Sequence, residues 1–402
     1  MAVAFLSQGA VHLIRPTTTY KLIGLGADGM TVGVITAIYA LLPVLFALFT
    51  ATRAQSAASL RPLLSLGALL SGAGAAGVAA APSVPGIAAA SALLGVGQIT
   101  MVVAAQTAIA RFVSDHQLDF AFGWFTAGFA AGQMAGPLAG GALLDSAGSG
   151  HSSMAATGAI DLTLWLGAGL TGLALAIVLV SGRALHQGRR LPDASADVDQ
   201  VPPASAQARR PSGLPRVRGI LRTPRVKSHF FASIALIGMM DLLSAFLPLV
   251  GDEAGVSPLW VGVLLAVRAT ASIASRALLP LLRRRLSRHV LVVTALWGSG
   301  SMLAVAAAVI HQLPLALLAI ALGGFFLGLG QPLTMSAISE AVPRHWRSSS
   351  LALSLVGNRI GLVVVPLAAG GLTGVLGASA GIWVGCLLLL GSGAEKTFLS
   401  RR

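Results

Sequence analysis

Charged residues are scarce in this chain of 402 residues, since Asp, Glu, Lys and Arg together make up only 10% of it. Soluble globular domains carry about 25% charged residues. The mean hydropathy is +0.83, and 55% of the residues are hydrophobic. These values leave too little polar surface for a soluble globule and predict an integral membrane protein.

Cysteine, aromatic residues and catalytic motifs are scarce as well. The single cysteine, Cys386, excludes a disulfide within one chain. The eight histidines are scattered, without H-E-x-x-H or Cys/His metal spacing, and the phosphate-binding pattern G-x-x-x-x-G-K-[ST] does not occur. We therefore expect no enzyme, no metal site, no cofactor and no ATP-driven pump. Aromatic residues make up only 5% of the chain, which argues weakly against an apolar multidrug pocket.

Long apolar runs are what the chain has in abundance. About twelve runs of 18 or more residues occur, each long enough at ~1.5 Å per residue to cross a hydrocarbon core ~30 Å thick. We predict transmembrane helices at 3–22, 29–50, 61–81, 86–110, 121–144, 159–181, 229–250, 257–281, 289–310, 313–337, 348–371 and 375–394.

Two motifs of the first half of the chain have an echo in the second half. Gly132-Gln-Met-Ala-Gly136-Pro137-Leu-Ala-Gly140-Gly141 is echoed by Gly361-Leu-Val-Val-Val-Pro366-Leu-Ala-Ala-Gly370-Gly371, and Gly95-Val-Gly97-Gln98 by Gly328-Leu-Gly330-Gln331. Related halves in a membrane protein are typical of secondary transporters, which bind solute between the halves. The predicted fold is all-α, with twelve transmembrane helices in two pseudo-repeated six-helix bundles around a central cavity.

The one long loop divides the predicted spans six and six. We predict an N-terminal bundle over 1–181, a cytoplasmic basic linker over 182–228, and a C-terminal bundle with a short cytoplasmic tail over 229–402. The basic linker could indicate a nucleic-acid site, but cytoplasmic positive charge beside anionic lipid explains it more simply, so no nucleic-acid partner is expected.

Basic residues of the short loops favour one side of the membrane. Lys21 is the only one in the predicted outer loops. The predicted inner loops and the tail hold Arg53, Arg61, Arg111, Arg283, Arg284, Arg285, Arg288, Arg344, Arg347, Lys396, Arg401 and Arg402. Because cytoplasmic loops retain Lys and Arg, both termini are predicted to be cytoplasmic.

The chain resembles the major facilitator superfamily over essentially its whole length, in its twelve predicted spans, the long basic loop after the sixth and the fifth-span motif. Gly132, Gly136, Pro137, Gly140 and Gly141 fit the pattern G-x-x-x-G-P-x-x-G-G, which in that superfamily is most often associated with exporters of the drug:proton antiporter type. Glycines four apart let a neighbouring helix approach closely, and a proline bends the helix. The contact either serves packing alone or favours rocking of the halves and prevents leak.

Two positions depart from the superfamily's patterns. The loop Thr52–Arg61 keeps only the last arginine of G-x-x-x-D-R-x-G-R-R, with Ser56 and Ala57 in place of its Asp and Arg. In the fourth span, Ser91 stands where the exporters usually carry an arginine. The resemblance therefore implies neither the inner-gate ion contact nor proton coupling through that arginine.

Three ionisable residues are predicted near the membrane midplane. They are Asp241, Arg268 and Arg359 in spans seven, eight and eleven, which border the central cavity in the superfamily that the chain resembles. Such residues cost ~2.5 to 3.5 kcal/mol each at a helix centre and normally face the bundle interior. We expect Asp241 to pair with Arg268 or Arg359. Asp241 is the candidate proton carrier, or alternatively a fixed ion-pair partner that helps assemble the second half.

Polar residues recur along one face of the first span, at Gln8, His12, Arg15 and Thr19. Similar stripes are Arg268, Ser272 and Ser275 in the eighth span and Ser350, Ser354 and Asn358 in the eleventh. We predict that these faces converge on a hydrated cavity. Gln98 and Gln133 either bind the solute or tie helices together, and His12 is either a proton site or a hydrogen-bonding residue.

The predicted cavity is positively charged, since it holds Arg15, Arg268 and Arg359 against Asp241, and this favours an anionic or carboxylate-bearing solute. The fifth-span motif favours export. The chain is thus predicted to be a proton-coupled, alternating-access exporter of an anionic or amphoteric metabolite or drug-like compound; the alternative is a proton-coupled importer of a small organic anion. Its expected partners are the solute, protons and the lipid bilayer, and we expect a multi-pass monomer in the cytoplasmic (inner) membrane of a bacterium.

Overall fold

Twelve α-helices make up the described part of the chain, in which no strand occurs. The computed structural model describes residues 1–56, 60–148, 153–186, 223, 226–343 and 347–399. The helices are α1 (Ala2–Gly24), α2 (Gly29–Ser56), α3 (Arg61–Ala80), α4 (Val84–Phe112), α5 (Asp115–Gly148), α6 (Ser153–His186), α7 (Val226–Glu253), α8 (Pro258–Arg285), α9 (Arg288–Ala308), α10 (Leu313–Glu340), α11 (Arg347–Leu376) and α12 (Ser379–Leu399). Most of the predicted linker and Arg344 lie outside the described residues.

Each predicted span coincides with one of these helices. Several helices continue beyond the apolar run, most clearly α5, which extends from Asp115 to Gly148. Within the described residues, eight segments are long and apolar enough to cross a membrane: α3, α4, α7, α8, α9 and α10 in full, with Thr157–Val180 in α6 and Leu353–Leu376 in α11. α1 is not among them, since it carries the polar face of Gln8, His12 and Arg15.

Local sequence explains where helices begin and end. Proline occupies the first turn of α3, α4, α8 and α10, where its missing N–H leaves no hydrogen bond unmade. Asp28 caps α2 by accepting hydrogen bonds from the Thr31 backbone N–H (2.9 Å) and hydroxyl (2.6 Å), which lower the pKa of its carboxyl. Gly26 and Gly255 adopt positive φ in the equivalent turns α1–α2 and α7–α8.

The helices pack as two groups, α1–α6 and α7–α12, whose helix pairs repeat. In the first group α1 packs on α5 and α6, α4 on α2 and α3, and α6 on α3; in the second group α7 packs on α11 and α12, α10 on α8 and α9, and α12 on α9. The two groups meet through α1 against α7, α2 against α11 and α5 against α8. The fold is therefore all-helical and two-fold pseudo-symmetric, with α1 and α7 at its centre.

Candidate functional site

A buried ion pair joins the two groups of helices at this centre. Nη1 of Arg15 lies 2.6 Å from Oδ1 of Asp241, and the two side chains are only 14% and 12% exposed. Nearby, the hydroxyl of Thr19 donates a hydrogen bond to the carbonyl oxygen of Ala245 (3.0 Å). The expectation that Asp241 pairs with Arg268 or Arg359 is wrong, because α1 and α7 pack directly against each other and bring Arg15 closest.

A chain of polar contacts extends from Arg15 through three helices. The guanidinium carbon of Arg15 lies 4.6 Å from the ring centre of Tyr39 in α2, a cation–π contact. The Tyr39 hydroxyl donates a hydrogen bond to Oε1 of Gln98 in α4, whose Nε2 lies 3.4 Å from Oε1 of Gln8 in α1. Tyr39 therefore positions Arg15 and is a site residue that sequence reasoning missed.

A cavity of about 160 Å³ opens between the two groups of helices beside this network. Its polar wall consists of Tyr39, Gln98, Asp241 and Arg359, contributed by α2, α4, α7 and α11. The remaining lining is Ala40, Pro43, Gly95, Ile99, Val102, Phe129 and Leu362. At about 30 Å³ per water, the space suits a few waters or the polar end of a solute.

Several buried polar atoms of α1, α7, α8 and α11 have no hydrogen-bond partner among the described residues. They are Nε2 of Gln8, Nη2 of Arg15, Oδ2 of Asp241, Nε of Arg268 and both side-chain amide atoms of Asn358. A buried donor or acceptor left without a partner costs about 1–3 kcal/mol. Oδ2 of Asp241 belongs to a residue that lines the cavity and is therefore available to water or to a bound solute.

Charged residues of α1, α7, α8 and α11 lie at or near the cavity. Arg268 is 4% exposed, and its charge acts on His12 together with that of Arg15. The charges of Arg15, Asp241 and Arg359 act in turn on Tyr39. His12 contacts its own helix, with Nδ1 3.0 Å from the carbonyl oxygen of Gln8.

Other predicted site residues lie against neighbouring helices. Gln133 is half-buried beside Gly132 and is not part of the cavity lining. The backbone of Ser272 and the side chain of Ser275 pack against Gly328 of α10, so these two serines of the α8 stripe face α10 rather than the cavity. In α11, Oγ of Ser354 lies 4.0 Å from Sδ of Met335, also in α10. Small hydroxyl side chains serve close helix packing here.

The fifth-span motif contacts α1. A Cβ added to Gly132 would lie 2.7 Å from the backbone nitrogen of Gly9, and one added to Gly136 would lie 2.9 Å from that of Leu13. At Gly140 an added Cβ would be in ordinary contact, 3.4 Å from Leu13 Cγ. In the second copy, the equivalent contact is between Gly361 and the Ile234 side chain of α7.

The two copies of the motif also form matching contacts between the groups. The Pro137 carbonyl of α5 abuts Gly262 of α8, and the Pro366 carbonyl of α11 abuts Gly33 of α2. One turn further, Gly141 meets Pro258 and Leu259, and Gly370 meets Gly29 and Met30. All of these contacts lie at the end of the bundle opposite both chain termini. The groups are therefore tightly closed at that end.

The family model of the Major Facilitator Superfamily matches residues 1–298 and 230–399. The chain belongs to the Major Facilitator Superfamily. Its membership confirms the resemblance noted in the sequence, and the protein is a multi-pass membrane transporter rather than an enzyme. A comparison with curated proteins gave no match.

Solved structures of transporters share this fold. The nucleoside transporter NupG superposes with a TM-score of 0.76 at 11% identity, covering 99% of this chain and 98% of its own. The peptide transporter POT gives a TM-score of 0.75 at 16% identity, covering 100% and 93%. A bacterial homologue of the human lysosomal transporter Spinster, in an inward-facing and occupied conformation, gives 0.69 at 14% identity, covering 100% and 95%. At these identities the likeness establishes the fold alone.

Proposed function

We propose that the protein exports an amphoteric solute in exchange for protons. The observation that carries this proposal is the Arg15–Asp241 ion pair, which joins α1 to α7 beside the polar cavity. It is a buried acid and base at the centre of two pseudo-symmetric halves, and each of the two side chains has a polar atom with no hydrogen-bond partner in the part of the chain that the structure describes. Breaking and remaking such a pair is a way to link proton binding to movement of the halves.

The charge of the solute determines the sign of the coupling. An ammonium group on the solute would replace the Arg15 guanidinium at Asp241 and so compete with a proton for the carboxylate, which gives antiport. Its carboxylate would bind the released Arg15 and Arg359. A purely anionic solute would instead draw Arg15 away from Asp241, and protonation of Asp241 would assist it, which gives symport.

This reasoning defines the alternative function. A proton-coupled importer of a small organic anion would use the same cavity, with Asp241 protonated while the anion binds Arg15 and Arg359. The resemblance of Gly132–Gly141 to the exporters' fifth-span motif favours export.

Both termini are predicted to be cytoplasmic, and this orientation decides which side of the membrane the closed end faces. With that orientation, the contacts of Gly141 and Gly370 close the outer side, and the cavity belongs to an inward-facing state. Export then requires these contacts to separate while the halves close on the opposite side. We place the protein as a monomer in the cytoplasmic membrane of a bacterium.

Roles follow for the remaining polar residues of the site. Gln8 and Gln98 present amide groups to the solute, Arg268 and Asn358 extend the polar wall, and His12 serves as a hydrogen-bonding residue within α1. Arg268 contributes a second buried positive charge, which accommodates a carboxylate.

Untargeted metabolomics of cells and medium tests direction and solute together. A deletion strain is compared with the same strain carrying the wild-type gene and with one carrying Asp241→Asn. An amphoteric compound that accumulates inside the deletion strain and is missing from its medium supports the proposal. An anion left in the medium and depleted inside the cells supports the importer instead and contradicts export.

A further inference from the structure

A second cavity, of about 340 Å³, lies inside the first group of helices towards the end that carries the termini. Its walls come from α1, α3, α4, α5 and α6. The lining is Met1, Ala2, Val3, Ala4, Ser7, Gln8, Leu64, Met101, Val102, Ala105, Ala108, Ile109, Phe125, Phe129, Ile177 and Val178. Among the described residues that line it, Ser7 and Gln8 are the only ones with polar side chains, so we call it the apolar cavity.

The apolar cavity adjoins the cavity that Asp241 and Arg359 line, which we call the polar cavity. Val102 of α4 and Phe129 of α5 line both spaces and form the wall between them. Gln8 lines the apolar cavity and also hydrogen-bonds Gln98, which lines the polar one. Val102, Phe129 and the Gln8–Gln98 amide pair thus lie between a charged compartment and an apolar one.

One face of α4 explains why this space is apolar and unfilled. Met101, Val102, Ala105, Ala108 and Ile109 recur at the spacing of a single helix face. Ala105 and Ala108 contribute only methyl groups to the lining. Aliphatic side chains supply most of the lining. A low aromatic content is therefore compatible with this apolar cavity, although it argued weakly against an apolar pocket.

Gln8 lies at the boundary between the apolar and the polar cavity and has a hydrogen-bond donor available. Its side chain is 1% exposed, and Nε2 has no hydrogen-bond partner among the described residues. A buried amide donor at the junction of an apolar and a charged cavity suits a ligand that is polar at the same point along its length.

We propose that the apolar cavity is a subsite of the transport site and that the solute is an amphiphile. Its charged end occupies the polar cavity, and its hydrocarbon part extends past Val102 and Phe129 into the apolar cavity. The inference rests on the proposed function, which places the charged end at Asp241 and Arg359. Together the two cavities fall in the size range of small-molecule sites, roughly 300–1,000 Å³.

A homologous series of ligands tests this arrangement. The probes are 2-aminoalkanoic acids with unbranched side chains of increasing length, and binding is measured on the full chain in lipid nanodiscs. Each methylene that enters an apolar site improves Kd by about fourfold. We expect this gain per carbon in the wild type until the apolar cavity is filled.

Two substitutions on α4 provide the matched pair. Ala108→Phe fills the apolar cavity, whereas Ala110→Phe adds the same ring at an exposed position outside its lining. The improvement in Kd with each added methylene should stop at a shorter chain in Ala108→Phe than in Ala110→Phe. The shortest probe should bind both variants with the same Kd. A Kd independent of chain length in the wild type, or the same series in both variants, overturns the inference.

Asp241→Asn separates this inference from the proposed function. If chain length has no effect while Asp241→Asn weakens binding of the shortest probe, the apolar subsite is refuted and the proposed function stands. If Ala108→Phe shortens the series but Asp241→Asn changes nothing, the subsite is supported and the role of Asp241 is contradicted. Binding of none of the probes to the wild type overturns both.

Discussion

Tyr39 connects the charged and amide parts of the site through one side chain. Tyr39→Phe keeps the ring against Arg15 but removes the hydrogen bond to Gln98, a loss of about 0.5–1.5 kcal/mol. Tyr39→Leu also removes the cation–π contact, a further loss of about 0.5–2 kcal/mol. We expect the KM for transport to rise in the order wild type, Phe, Leu.

The chain's other tyrosine provides the control for this series. The hydroxyl of Tyr20 is buried without a hydrogen-bond partner among the described residues, so Tyr20→Phe removes no hydrogen bond seen there. Its KM should match the wild type. A Tyr39→Leu protein with a wild-type KM would mean that Tyr39 does not position Arg15.

The Arg15–Asp241 pair makes a prediction about stability. Removing one member of a buried ion pair leaves the other charge uncompensated and costs about 3–5 kcal/mol, whereas removing both leaves no buried charge. Thermal unfolding in detergent should therefore show Arg15→Gln below the double variant Arg15→Gln/Asp241→Asn. A double variant less stable than either single one would contradict this pairing.

Sequence reasoning named most residues of this site but not their contacts. It placed Arg15 and Gln8 on one face of α1, because a period of 3.6 residues is visible in the sequence. It could not tell which arginine lies nearest Asp241, since that depends on how α1 and α7 are rotated against each other. It missed Tyr39, since a lone tyrosine in an apolar span has no periodic pattern to mark it.

The glycine motif is tested at the scale of helix pairs. Gly136→Val should impair transport, because a Cβ there would lie 3.1 Å from the carbonyl carbon of His12, and overpacking costs about 1–3 kcal/mol. Gly371→Val should be tolerated, because a Cβ there meets nothing within 4 Å. Transport rates of the two variants at equal expression make the comparison.

Valine is the informative replacement, because the second copy of the motif already carries it. Val365 stands where the first copy has Gly136, and its side chain packs on Gly238 of α7. The helix pair α1–α5 thus has a glycine in its contact where the corresponding pair α7–α11 has a valine. Equal transport by the Gly136→Val and Gly371→Val proteins would mean that α1 and α5 are not in tight contact there.

Helices were more predictable than the faces they present. Every predicted span falls on a helix, because an apolar run long enough to cross a membrane leaves little choice of structure. The ends differ, as at α5, since helical hydrogen bonding continues past the apolar run. Ser272 and Ser275 were expected at a cavity but lie against α10, because small polar side chains serve helix packing equally well.

At the scale of the whole molecule, the two copies of the motif form equivalent contacts between the halves, which the sequence repeat only suggested. Pro137 against Gly262 and Pro366 against Gly33 are one contact made twice, by corresponding positions of the two halves. They close the same end of the molecule from both sides of the centre. The Arg15–Asp241 pair joins α1 of one half to α7 of the other, so movement of one half against the other would strain or break it.

The central claim is that Asp241 couples protons to movement of the halves, and transport by Asp241→Asn in proteoliposomes tests it most directly. The solute identified by metabolomics is measured in two modes: exchange of internal for external solute without a pH gradient, and accumulation driven by a pH gradient. We predict that Asp241→Asn loses accumulation but keeps exchange at raised solute concentrations, because asparagine carries no proton and binds the ammonium group of the solute more weakly than a carboxylate does. Accumulation equal to that of the wild type would contradict the account.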